Sequence, residues 1–160
     1  MLEITVICVG KLKESFLRDA CAEYSKRLSS LCKLNVIELQ PEKLSDNPSK
    51  KEIENALVAE GKRIAEKIPD RAAVFSMCIE GKELSSEELS KKLFSLASSG
   101  TGSVAFIIGG SFGLAPFIKE RSNLRLSVSK MTFPHQLFRV MLLEQIYRAI
   151  QIENGSKYHK

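Results

Sequence analysis

A buried strand breaks into a glycine turn in the stretch Phe106-Ile107-Ile108-Gly109-Gly110-Ser111-Phe112-Gly113. Further along the chain, a polar loop at residues 128–135 leads into a long helical pattern. Glycine lets a ligand approach main-chain N–H and C=O groups closely, and side chains at a helix start can be aimed at the same spot. A functional site of this chain is therefore expected where the turn and the loop meet.

Strand-like and helix-like patterns alternate along the whole chain. The predicted strands cover residues 4–9, 34–39, 72–79, 104–108 and 124–128. The predicted helices cover residues 16–28, 48–68, 85–98, a short segment from residue 116, and 134–154. Because the middle strands are apolar on both faces, the sequence predicts an α/β fold, a mostly parallel sheet covered by helices. No repeat or long linker divides the chain, so one domain spanning residues 1–160 is expected.

The composition is that of an ordinary globular protein, with 44% hydrophobic and 27% charged residues. No apolar run approaches the length of a membrane span, and the first residues form a strand pattern rather than a signal peptide. We therefore expect a cytoplasmic protein without a membrane segment. The four cysteines lack the C-x-x-C spacing of a zinc or redox site, and only two histidines are present. Reduced thiols and no bound metal are expected.

The chain is basic, with a formal net charge of +5 and a sequence pI near 9.0. In many small proteins, a positive net charge only increases solubility. It also suits a partner rich in phosphate, such as a nucleic acid. Charge alone leaves both interpretations open.

The glycine turn does not match the common nucleotide-binding motifs. Its spacing differs from that of the Rossmann fingerprint, which comes early in a chain with an acidic partner downstream. It is not a P-loop, because no Gly-Lys-Ser/Thr follows. A tight turn without a ligand is one interpretation. The other is a binding site, because open α/β sheets bind ligands at the carboxyl ends of their strands.

The final helical pattern is apolar on more than one face. One face can pack on the sheet, and the rest needs a second partner. A symmetric homodimer contact is the simplest explanation, and a deeply embedded helix is the alternative. The apolar positions concerned are Leu137, Val140, Met141, Leu142, Leu143, Ile146, Tyr147, Ile150 and Ile152.

Two further groups of residues are candidates for contact with nucleic acid. His135 and Arg139 are four residues apart and share a helix face beside the polar loop, where both could contact phosphate; otherwise they are ordinary surface residues. The chain ends Ser156-Lys157-Tyr158-His159-Lys160. Such tails are usually disordered, but aromatic and basic residues together also suit stacking on a base beside a phosphate.

Motifs along essentially the whole chain resemble those of the RlmH family, bacterial SPOUT-class methyltransferases of the large ribosomal subunit. The motifs are Val9-Gly10-Lys11-Leu12-Lys13, Ile107-Ile108-Gly109-Gly110-Ser111, Ser129-Lys130-Met131-Thr132-Phe133-Pro134-His135-Gln136, Leu143-Glu144-Gln145-Ile146-Tyr147-Arg148-Ala149 and the terminal Tyr158-His159-Lys160. Their order and the intact tail make the resemblance specific.

The resemblance implies an S-adenosylmethionine-dependent enzyme that methylates N3 of a pseudouridine in 23S rRNA, within the large subunit or the ribosome. It also implies a C-terminal part threaded into a trefoil knot. The implied cofactor-binding residues are Met77, Gly109, Val128, Ser129, Lys130, Met131, Thr132 and Phe133. The implied catalytic residues are His135, Arg139, Tyr158 and His159.

Two alternatives to this function stay open at the level of sequence. One is a methyltransferase of the same fold that acts on another RNA, because the implied pocket identifies the cofactor more firmly than the nucleotide. The other is a non-catalytic factor that binds the ribosome and has kept the fold. A dehydrogenase is disfavoured, because the dinucleotide fingerprint is missing.

Overall fold

A computed structural model describes residues 1–160. Five strands and five helices alternate along the chain, close to the predicted positions. The elements are β1 Glu3–Val9, α1 Ser15–Leu28, β2 Lys33–Leu39, α2 Lys50–Lys67, β3 Ala73–Glu83, α3 Ser86–Ser98, β4 Ser103–Ile108, α4 Pro116–Arg121, β5 Leu124–Ser127 and α5 His135–Glu153.

The five strands form one sheet in the order β2-β1-β4-β3-β5. Every neighbouring pair is parallel, so all five strands end at the same edge. The predicted α/β fold is confirmed. β4 is the central strand, and its last residues continue into the glycine turn. The sheet therefore delivers this turn to the middle of the edge at which open α/β sheets bind ligands.

Helices cover both faces of the sheet. Along the buried strands, alternate side chains point to opposite faces, which gives two core clusters. Phe75 and Phe106 belong to the cluster under α1, α3 and α5, and their rings pack edge to face at 5.3 Å. Ala105 and Ile107 point the other way, into the cluster under α2 and α4. The apolar character of these strands on both faces is thus explained.

β3 is longer than the sequence pattern predicts. The prediction ended at Ile79, but the strand continues to Glu83 with a shift in register between Met77 and Lys82. Gly81 permits the continuation, because a Cβ there would lie only 2.7 Å from the main-chain carbon of Leu126 on β5. The extension lengthens the edge of the sheet beside the predicted loop.

Helices α2 and α3 each begin with a capping box. The Ser85 hydroxyl accepts a hydrogen bond from the Glu88 N–H, and the Glu88 carboxylate accepts one from the Ser85 N–H, as the sequence predicts for α3. The same arrangement joins Ser49 and Glu52 at the start of α2. These pairs fix where the two helices begin. No helix of the chain is both long enough and apolar enough to cross a membrane.

Candidate functional site

The largest cavity at the carboxyl edge of the sheet has a volume of about 680 Å³. We call it the turn cavity. The ends of β3 and β4, the glycine turn, the loop after β5 and the start of α5 enclose it. Its size falls within the range typical of small-molecule sites, roughly 300–1000 Å³. The structure thus has a cavity at the edge of the sheet where the sequence predicts a functional site.

The glycine turn closes on itself at the rim of this cavity. Gly110 and Gly113 form an antiparallel bridge, and the Gly113 N–H donates to the Gly110 carbonyl at 3.1 Å. A Cβ on Gly109 would lie 2.4 Å from the Gly113 carbonyl oxygen, and Gly113 itself has a φ of +83°. Both positions therefore require glycine, one for space and one for conformation.

Side-chain hydrogen bonds shape the loop that faces the turn. The Ser127 hydroxyl donates to the Ser129 carbonyl at 2.8 Å, and the Met131 N–H donates to the Ser129 hydroxyl at 3.0 Å. This folding leaves Met131 73% exposed. The loop thus presents a large apolar side chain beside a polar main chain, which suits a ligand that has both kinds of surface.

Seven of the eight predicted cofactor-binding residues line the turn cavity. They are Met77, Gly109, Val128, Ser129, Met131, Thr132 and Phe133. Lys130 lies in the same loop but does not line the cavity. The motif placed the whole loop at the site, but it could not show which side chain of the loop points away.

Sequence reasoning missed an ion pair at this site. Glu80 on β3 and Lys119 on α4 both line the turn cavity and are paired with each other. The hydrogen bond from Lys119 lowers the pKa of Glu80 below its ordinary value, so this carboxylate stays charged. Their separation in the sequence gave no signal for the pairing. The pair adds one positive and one negative group to a lining that is about half apolar.

His135 lies at the border between the turn cavity and a second, smaller cavity. Burial lowers the pKa of His135 below its ordinary value of 6.5, and the positive charges of Arg139 and Lys13 lower it further. The imidazole is therefore neutral at neutral pH and can accept a proton. The structure thus brings this predicted catalytic residue to the site.

Arg139 does not face the site. Its side chain is only 4% exposed, and it donates to a Glu38 carboxylate oxygen at 2.6 Å and to the Gly10 carbonyl at 3.0 Å. The spacing argument that grouped it with His135 for phosphate contact was wrong, because those donors are committed inside the protein. Arg139 instead ties α5 to the ends of β1 and β2.

The C-terminal tail is docked on the surface of the folded chain. The Tyr158 hydroxyl donates to Glu144 at 3.1 Å, and the ring packs edge to face on Tyr147 at 4.9 Å. His159 lies 2.8 Å from a Glu87 carboxylate oxygen and 3.3 Å from an Arg148 nitrogen. Burial and the Glu144 carboxylate raise the pKa of Tyr158 to about 12, so the phenol stays protonated. Neither tail residue lines the turn cavity.

An apolar groove runs along α5 beside the turn cavity. It has a volume of about 550 Å³ and shares Met77, Leu126, Ser127 and Val128 with that cavity. Val140 and Met141 line it and are only partly buried. We call it the α5 groove. The fold therefore leaves a second apolar face of α5 partly exposed, as the sequence pattern predicts.

Comparison with known proteins identifies the family. Residues 2–159 match the family described as Predicted SPOUT methyltransferase. The chain belongs to the SPOUT methyltransferase family. This SPOUT chain is 54% identical to a Clostridium botulinum (strain Alaska E43 / Type E3) protein named Ribosomal RNA large subunit methyltransferase H, over 99% of this chain and 100% of the relative. A Bifidobacterium adolescentis protein of the same name is 52% identical with the same coverage. The resemblance to the RlmH family is confirmed.

A solved structure supports the fold assignment. A probable methylase family protein from Haemophilus influenzae Rd KW20 superimposes with a TM-score of 0.54 and 13% sequence identity. The alignment covers 99% of this SPOUT chain and 69% of the other. At this identity the likeness concerns the fold alone. The trefoil knot that the resemblance implies stays a prediction.

Replacing Arg139 with leucine is expected to lower the free energy of unfolding by about 1–3 kcal/mol, because it removes the hydrogen bonds to Glu38 and to the Gly10 carbonyl, while the partly exposed Glu38 carboxylate stays in contact with water. The matched control is Arg121→Leu, at an exposed position at the end of α4, where a change within about 0.5 kcal/mol is expected. Urea denaturation of both variants checks the difference. A loss below about 1 kcal/mol for Arg139→Leu would show that the ion pair contributes little to stability.

The imidazole of His135 is expected to titrate below pH 6.5. The unfolded chain binds this proton more tightly than the folded chain, so His135 contributes a loss of stability as the pH falls below 6.5. Proton NMR of a His159→Gln variant, which leaves one histidine, measures the pKa directly. Lys13→Gln should raise it, because Lys13 is one of the charges that lower it. An unchanged value in Lys13→Gln, or titration above 6.5, would contradict this assignment.

Proposed function

We propose that the protein is an S-adenosylmethionine-dependent methyltransferase that methylates N3 of a pseudouridine in 23S rRNA. The observation that carries the proposal is full-length similarity, above 50% identity, to proteins named Ribosomal RNA large subunit methyltransferase H. The cavity at the carboxyl edge of the sheet supports it, because it lies where the family resemblance predicts a cofactor. The basic net charge of +5 suits an RNA substrate.

The turn cavity fits the proposed cofactor in size and in chemistry. Its apolar wall, which includes Met77, Leu114 and Leu126, suits the faces of an adenine ring, and the bare backbone at Gly109 offers hydrogen-bonding groups. Glu80 and Lys119 provide charged partners for the polar ends of such a molecule. S-adenosylmethionine, when bound, supplies a methyl group activated by a sulfonium. The loop at residues 128–133 would hold and orient it.

His135 is the proposed proton acceptor. The N3–H of a pseudouridine is a weak acid whose proton must leave before or during methyl transfer. A neutral imidazole at the rim of the turn cavity can take that proton, and burial and the nearby positive charges keep it neutral. Arg139 acts as a positioning residue in this scheme, because it holds the first turn of α5 against Gly10 and Glu38.

Tyr158 and His159 are proposed to act in the active site of the partner subunit of a homodimer. In their own subunit they are docked against Glu144 and Glu87, away from the turn cavity. The α5 groove supports a symmetric dimer, because it is apolar and continuous with the turn cavity. A second copy seated in the groove would bring its tail close to this cavity.

Mass spectrometry of 23S rRNA nucleosides tests the proposed function. Ribosomes from cells lacking the gene are incubated with the purified protein and S-adenosylmethionine, and the rRNA is digested to nucleosides. We expect N3-methylpseudouridine to appear with the protein and not without it. A methyl group on another nucleoside would favour a different RNA target, and no methylation despite cofactor binding would favour a non-catalytic ribosome-binding protein.

A mixed-dimer experiment tests where the tail acts. One subunit lacks residues 157–160, and the other carries Thr132→Trp, which blocks the turn cavity at an exposed loop position. Each variant alone is expected to be inactive. If the tail acts in the partner, the mixed dimer regains one active site, made of the open cavity of one subunit and the tail of the other. A mixed dimer as inactive as its parents would mean that the tail acts only in its own subunit.

A further inference from the structure

A second cavity lies on the α2 side of the glycine turn. We call it the α2 cavity; its volume is about 270 Å³. It shares Gly110, Ser111, Phe112 and His135 with the turn cavity, so the two cavities adjoin at the turn and at this imidazole. The volume lies near the lower limit of small-molecule sites, roughly 300 Å³. It suits one flat ring and excludes anything as large as the proposed cofactor.

The floor of the α2 cavity is apolar and its rim is polar. Val9, Ala56 and Leu57 contribute apolar surface from β1 and α2. Lys11 and Lys13 stand at the rim, and neither forms an ion pair. An apolar cavity with unpaired lysine side chains at its rim suits a nucleotide, because the base has apolar faces and the phosphate is an anion.

Glu60 offers a free hydrogen-bond acceptor to this cavity. One of its carboxylate oxygens, Oε2, accepts the Glu42 N–H at 2.9 Å. The other, Oε1, has no donor in the protein and lies 4.0 Å from where a Cβ on Gly110 would be. It therefore faces the glycine turn that borders both cavities. A carboxylate here can accept a hydrogen bond from an N–H group on the edge of a base.

Gln136 offers the complementary group, a free donor. Its side-chain oxygen accepts the Lys13 N–H at 2.8 Å, which leaves the amide Nε2 free to donate. Gln136 lines the same cavity from the first turn of α5. The Glu60 carboxylate as acceptor and the Gln136 amide as donor can together recognise a ring that carries both N–H and C=O groups on its edge.

We propose that the α2 cavity is the subsite for the target base, and that Glu60 Oε1 accepts the N1–H of a pseudouridine. This rests on the proposed function. If N3 faces the turn cavity, N1–H is the remaining ring donor, and uridine has no donor at the equivalent position, because a C–H group stands there. Gln136 donates to a ring carbonyl, and Lys11 and Lys13 face the phosphates. Glu60 is then the residue that distinguishes pseudouridine from uridine.

Glu60→Gln is the decisive variant. Its amide oxygen can still accept the Glu42 N–H, while its NH2 group turns a donor toward N1–H and opposes it. Glu54→Gln is the matched control, because Glu54 lies on the exposed face of α2 and does not line the cavity. Binding of pseudouridine 5′-monophosphate and uridine 5′-monophosphate to the full-length protein is followed by NMR of the backbone amides. This measurement requires neither cofactor nor methyl transfer.

We expect both nucleotides to shift the amides of Gly10, Ala56 and Gly110 in the wild type, with pseudouridine monophosphate binding more tightly. Loss of one hydrogen bond to a charged group corresponds to about 10- to 100-fold. Glu60→Gln should therefore remove the preference, and Glu54→Gln should keep it. Absence of binding at millimolar nucleotide, shifts confined to another surface, or a preference unchanged in Glu60→Gln would overturn the proposal.

A second measurement separates this proposal from the proposed function. Calorimetric titration with S-adenosylmethionine should give the same affinity for Glu60→Gln as for the wild type, while single-turnover methylation of ribosomes should slow by about 10- to 100-fold. Equal slowing of methylation by Glu60→Gln and by the control Glu54→Gln, or unchanged methylation by Glu60→Gln, would overturn the role of Glu60. Absence of methylation by the wild type would refute the proposed function, and the nucleotide titration would still decide whether the α2 cavity binds a base.

Discussion

The close approach of Gly109 to the Gly113 carbonyl governs the whole carboxyl edge of the sheet. A side chain at Gly109 would collide with that carbonyl, since its Cβ would lie 2.4 Å from the oxygen. The contact lets β4 end in a tight four-residue turn, from Gly110 to Gly113, rather than in a wide loop. The turn becomes a thin wall with a cavity on each side. The two cavities meet at His135, which lines both.

Helix α5 links this edge to the rest of the fold. Its buried side chains belong to the larger core cluster, and Arg139 within it is fixed by Glu38 and Gly10. The same guanidinium helps to lower the pKa of His135, one turn earlier on the helix. Burial of the imidazole is the main cause of the lowered pKa of His135, and the charges of Arg139 and Lys13 add to it. Arg139 therefore both stabilises the start of the helix and helps to keep the neighbouring imidazole neutral.

Periodicity and turn residues predicted the elements and the edge of the sheet, because these depend on local chemistry. The Ser85–Glu88 capping box and the strand that ends at Gly109 are examples. The buried ion pair of Arg139 was not predictable, because its partner Glu38 is 101 residues away in the sequence. The docking of Tyr158 on Glu144 depends in the same way on tertiary packing. The proposed roles of Glu60 and Lys119 likewise depend on the placement of α2 and α4 beside the turn, which the sequence does not show.

The central claim is that the glycine turn and the loop at residues 128–133 enclose a methyl donor. A crystal structure of the protein soaked with S-adenosylmethionine tests it most directly. We expect one donor molecule per chain in the turn cavity, against Met77 and the loop, with the α2 cavity left free. Donor bound in the α2 cavity or elsewhere on the protein, with the turn cavity empty at saturating concentration, would contradict it.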